Sequence, residues 1–128
     1  MKLIHSSRYL VTLGFTRNEL EILNRVLDVP LLAFGLEKFL TKINVPRERI
    51  AQINKKIRDT LQDIDKKSIS KFIAVDFKRG QIYLLKDAFS AACDIVDEKE
   101  IHTLTGYSWR DAIRVQKNLT KLINQLRS

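Results

Sequence analysis

Arg110, Arg114, Lys117 and Lys121 recur at spacings of four, three and four residues. On a helix that spacing puts all four cations on one narrow face. Such a line of fixed positive charge suits the phosphates of a nucleic acid. Trp109 stands at its head, where an indole can stack on a base or pack between helices. Arg47 and Arg49 open a second basic segment, residues 46–62, which carries a net +3, as does residues 108–124. The bland alternative for either segment is a solvated helix face.

Other chemistry has little to work with. The two histidines, His5 and His102, are far apart in sequence, and neither HExxH nor paired-cysteine zinc spacing occurs. Asp94, Asp97, Glu98, Glu100 and His102 form an acidic run that reads as a solvated loop and first helical turn, where carboxylates favour the positive helix end. Cys93 could be drawn as a nucleophile with His102 as its base, but nothing is placed to orient them, and a buried structural cysteine is the simpler reading. No glycine-rich phosphate loop or G-x-S-x-G elbow is present. The expectation is a protein that is not an enzyme and needs no metal or cofactor.

The whole chain fits that reading. It has 128 residues, a net charge of +8 and a sequence pI of about 9.8. A basic balance favours a polyanionic partner. Apolar residues make up 45%, enough for a core, and only four Gly and two Pro imply short loops. No apolar run reaches the roughly 18 residues that span a membrane, and the N-terminal stretch lacks a signal-peptide core. With one cysteine no internal disulfide can form. A cytoplasmic setting is expected.

The elements that must position these residues occur twice. At an offset of 62, Phe15 falls on Phe77, Arg17 on Arg79, Leu23 on Leu85, Thr41 on Thr103 and Lys55 on Lys117. Residues 10–61 hold 24 apolar positions and residues 72–123 hold 26; 20 coincide, where about 12 would by chance. This points to a tandem duplication of a strand–helix–helix–helix unit, 1–66 and 67–128, forming an intramolecular pseudo-dimer. The fold class expected is mainly α with a small β strand pair.

Each unit opens with an apolar or alternating stretch, Leu10 to Phe15 and Phe72 to Phe77, which reads as a strand. Thr16 and Glu19 form a capping-box pair, after which Leu20, Leu23 and Leu27 recur at helical spacing. Ile82, Leu85 and Phe89 do the same in the second unit. There Lys78-Arg79-Gly80-Gln81 offers a rival, a turn that makes Phe72 to Leu85 a hairpin. Both alternatives stand at residues 79–86. A second helix is expected at Gly35 to Ile43 and at Asp97 to Leu104. Pro46 suits the first turn of the third helix and Ser108 an N-cap. Ile50, Ile53, Ile57 and Leu61 make one apolar stripe; Ala112, Val115, Leu119 and Ile123 make the other.

Glu98 to Leu119 resembles a helix-turn-helix, with Gly106 at the turn, Tyr107 facing inward, and Ala112 and Val115 on the inner face of the second helix. The resemblance covers about 22 residues of each unit. His102 departs from the small residue usual in the first helix, and in the first unit Leu40 and Asn44 replace the small residue and the turn glycine. The first unit also lacks the stripe, because its aligned face reads Glu48, Gln52, Lys55, Asp59. The resemblance implies a nucleic-acid-binding, regulatory protein that reads through its second unit. The alternative is a non-enzymatic protein-interaction module: an inhibitor, immunity or antitoxin-like adaptor.

Overall fold

The computed structural model describes residues 1–33, 35–64 and 72–127. Along these the chain runs β1 (Lys2–Ser6), β2 (Leu10–Phe15), α1 (Arg17–Asp28), a π-helical turn (Val29–Ala33), α2 (Leu36–Ile43), α3 (Arg47–Asp63), β3 (Ile73–Lys78), α4 (Arg79–Ile95), α5 (Glu98–Thr105) and α6 (Trp109–Arg127). The expected boundary between residues 66 and 67 lies outside the described residues.

The sheet is a correction to the expected strand pair. It has three antiparallel strands in the order β1-β2-β3. The added strand β1 reaches β2 through a tight turn, in which the Ser7 amide donates to the Leu10 carbonyl at 2.8 Å and the Leu10 amide to Ser7 Oγ at 3.1 Å. A register shift between Leu3 and His5 breaks the strict alternation of β1. Gly14 permits the close approach there. A Cβ at this position would lie 3.0 Å from Ile4 Cδ1, too near without movement.

Strands β2 and β3 pair over six residues, with Val11 opposite Phe77, Leu13 opposite Val75 and Phe15 opposite Ile73. The period of two turns Val11, Leu13, Phe15, Val75 and Phe77 to one face, where all five are buried under the helices. Phe15 and Phe77 meet edge to face, ring centroids 6.4 Å apart, an arrangement that adds about 1 kcal/mol to the burial itself.

Residues 79–86 are helical. They begin α4, and the hairpin alternative is not adopted. Gln81 Oε1 accepts the Lys78 amide at 2.9 Å and so closes the helix start. In α1 the Thr16–Glu19 capping box is formed in both directions, at 3.2 and 2.8 Å. Pro46 precedes α3 as its N-cap rather than lying within the first turn. The two expected stripes face the core, with Ile50, Ile53, Ile57, Ala112, Val115, Leu119 and Ile123 buried. Leu61 is half-buried at the end of α3.

One polar network crosses that interior. Asn54 is buried on α3; its carboxamide accepts from Asn24 Nδ2 at 2.9 Å and donates to Asp28 at 2.6 Å, and Arg58 reaches the same Asp28 oxygen at 3.0 Å. A buried amide left without partners would cost about 1–3 kcal/mol. The network satisfies it and joins α1 to α3.

Candidate nucleic-acid interface

Helix α6 carries the predicted site, and its start is set by short-range chemistry. Gly106 ends α5 with φ +80°, a left-handed conformation that glycine takes without steric cost. Asn44 ends α2 in the same conformation, φ +53°. Ser108 Oγ then accepts the Asp111 amide at 3.1 Å, the expected N-cap of α6. Between them Thr105 is buried, and its hydroxyl accepts the Tyr107 amide at 3.1 Å.

Helix α1 holds this corner from the other side. The Arg25 guanidinium donates to the Thr105 carbonyl at 2.9 Å, the end of α5. It also lies 5.6 Å from the Tyr107 ring centroid. The Tyr107 hydroxyl donates to the Glu21 carboxylate. Burial, and then that carboxylate, push the Tyr107 hydroxyl above its usual pKa. The far end of α6 is held by Arg79, which donates to the Leu126 carbonyl at 2.8 Å and to the Ser7 carbonyl at 3.0 Å.

With its apolar side packed inward, α6 turns Arg110, Arg114, Lys117 and Lys121 to the outside, and all four are exposed. At 1.5 Å per residue they span about 16 Å. Among the described residues none of the four forms an ion pair within the protein. The cations of α3 differ. Lys55 pairs with Asp59 at 3.2 Å, Arg58 with Asp28 at 3.0 Å, and Arg47 donates to the Leu31 carbonyl at 3.3 Å. Arg49 is exposed in the first turn of the same helix.

Trp109 is half-buried against the core at the first turn of α6. Two open concavities meet at it and at Arg110. One runs toward α5, past Glu98, Lys99 and His102. The other follows α6 past Ile113, Arg114 and Lys117 to Lys121. Ile113 and Asn118 line the second groove and were not among the predicted residues. Helical spacing from Trp109 and Arg114 would have found them.

Of the remaining candidates, Asp97, Glu98 and His102 line the concavity on the α5 side of Trp109. Cys93 is buried on α4; burial, and then the Asp94 charge, push its thiol up to about 12, so it is protonated at neutral pH. His102 is exposed on α5 and His5 on β1. In the acidic run, Asp94 faces Lys42 at 3.5 Å and Asp97 caps α5 by accepting the Lys99 amide at 3.1 Å. Among the described residues no group of three or more His, Cys, Asp or Glu is placed to hold a metal ion, and no helix is long and apolar enough to cross a membrane. Comparison with family models, with curated proteins and with solved structures gave no match.

Proposed function

We propose that this chain binds nucleic acid, without catalysing a reaction on it, through the outward face of α6. One observation carries the reading. The four cations of that face stand in line, exposed, with no ion pair among the described residues, whereas three cations of α3 already have an intramolecular carboxylate or carbonyl partner. Unpaired, aligned cations are available to displace the counterions of a polyanion. Arg25, at the corner that precedes α6, and Arg79, at the far end of α6, support the reading by tying the helix to the rest of the protein.

The finer architecture belongs to the same proposal: units 1–66 and 67–128 are copies that face each other as a pseudo-dimer. Its support is positional. Helices α1, α2 and α3 start at 17, 36 and 47, and α4, α5 and α6 at 79, 98 and 109, each 62 later. The left-handed residues Asn44 and Gly106 keep the same offset. Leu13 pairs with Val75, its own counterpart, at the centre of the β2–β3 ladder, as a two-fold axis there requires. In this arrangement the first copy builds the support and the second carries the basic face. The copies reading is checked in homologous chains: halves that stop aligning with each other as more divergent sequences are added would sink it.

Affinity purification of the whole protein, with and without nuclease, tests the binding reading. Co-purifying nucleic acid that nuclease removes is the expected result. A stoichiometric protein partner that survives nuclease, with no bound nucleic acid, would establish the adaptor alternative instead.

A further inference from the structure

The surroundings of the α6 stripe separate two kinds of nucleic acid. A helix with its side chains is about 10–12 Å across and the major groove of a duplex about 12 Å wide. A recognition helix in that groove therefore has a phosphate backbone along each flank. Here Glu98 at the start of α5 walls one flank of α6 beside Trp109 and Arg110. Asp111 stands on the other, in the concavity that Arg114 shares with Glu19. The four cations of α6 form the ridge between these carboxylates, and on the α5 flank Lys99 is outnumbered by Asp97 and Glu98. A single row of phosphates along the ridge meets Arg110, Arg114, Lys117 and Lys121 and avoids both flanks. Two rows straddling it meet a carboxylate on each side.

Trp109 supplies the second requirement of a single-strand site. Bases freed from pairing stack on aromatic faces, and the combination of a cationic track with such a platform binds single strands with little sequence preference. The indole sits where the two grooves join, with Lys99 and His102 on the α5 side and the cation ridge on the α6 side. Resting on the nucleic-acid reading above, we infer that the α6 face is a single-stranded nucleic-acid site, with the phosphates on the Arg110–Lys121 ridge and a base stacked on Trp109.

Trp109 is the only tryptophan in the chain, so tryptophan emission, excited at wavelengths where tyrosine does not absorb, reports on this site alone. Titrate the full-length protein with an oligothymidylate of about 12 nucleotides, within the site-size range of single-strand binders, and with a duplex of equal length. The expected result is quenching by the single strand and at least roughly tenfold tighter binding than to the duplex. Trp109→Ala should weaken single-strand binding by roughly tenfold or more, the usual worth of one stacked base. Trp109→Phe, which keeps an aromatic face and the packing, should restore most of it. Salt-sensitive binding that is equal or tighter for the duplex, or that leaves Trp109 emission unchanged, overturns the single-strand inference and leaves the α6 reading standing. Binding of neither probe overturns both.

Discussion

Arg25 on α1 and Thr105 at the end of α5 are 80 residues apart in sequence and joined by a 2.9 Å hydrogen bond. The bond satisfies a carbonyl that α5 leaves without an intrahelical partner. It also fixes where the chain turns into α6, so the first half of the protein sets the orientation of the basic face in the second. Arg25→Ala should lower stability by about 1 kcal/mol, measurable as a lowered urea midpoint. It should also increase amide exchange at residues 105–108. Unchanged exchange there would mean that the corner holds itself.

Leu85→Ala tests the core where α4 replaces the alternative hairpin. Leu85 is fully buried, and truncation leaves a cavity that costs about 2–5 kcal/mol. Its counterpart Leu23 on α1 is equally buried and should cost a similar amount. Denaturant unfolding of the two variants checks both; a change within error at either site would place that leucine outside the core.

Much of this fold is legible in the sequence because helices announce themselves by period. The stripes of α3 and α6, the Thr16–Glu19 box and the Ser108 cap are all local patterns. Strand β1 is not, because only Leu3 of its five residues is even half-buried and the register shift at Ile4 destroys alternation. The choice of helix for residues 79–86 is ambiguous locally and is settled by burial of Ile82, Leu85 and Phe89 on one side. At the candidate site the cation spacing is legible, since it depends on one helix. Which cations are free is not. Arg58 is taken by Asp28 and Arg47 by the Leu31 carbonyl through contacts 30 and 16 residues apart. The supports from Glu21, Arg25 and Arg79 are long-range for the same reason.

Asn54→Ala should destabilise more than a surface change, by about 1–3 kcal/mol, because Asn24 and Asp28 lose their shared partner. Nucleic-acid binding should persist in whatever fraction remains folded, since the network lies between α1 and α3. Unfolding curves and binding titrations on the same preparation separate the two effects.

The Cys93 thiol predicts an alkaline limit. Its pKa is raised from 9.0 unfolded to about 12 folded, by burial first and the Asp94 charge second. An acid whose pKa is raised on folding binds its proton more tightly in the folded state. Its contribution is therefore fully present below pH 9 and is lost as pH rises from 9 toward about 12. Cys93→Ala should flatten that part of the stability profile, leaving the portion due to Tyr107, whose pKa is also raised. Identical alkaline profiles for wild type and Cys93→Ala would contradict the assignment. Cys93→Ser should leave nucleic-acid binding intact in folded protein.

The most direct test of the α6 face is the salt dependence of binding. Measure affinity for single-stranded and duplex probes across a salt series, for wild type, for Arg110→Ala with Arg114→Ala, and for the aligned control Glu48→Ala with Gln52→Ala. Each phosphate neutralised contributes about −0.7 to −0.9 to the slope of log K against log salt, so four contacts give about −3. Wild type and the control should show roughly that slope, and the arginine pair about half of it, with weaker binding. Stability should change little, because exposed charges contribute little to folding. Binding of the arginine variant with wild-type affinity and slope, or no binding by wild type to either probe, would mean that the stripe is a solvated helix face and not a nucleic-acid site.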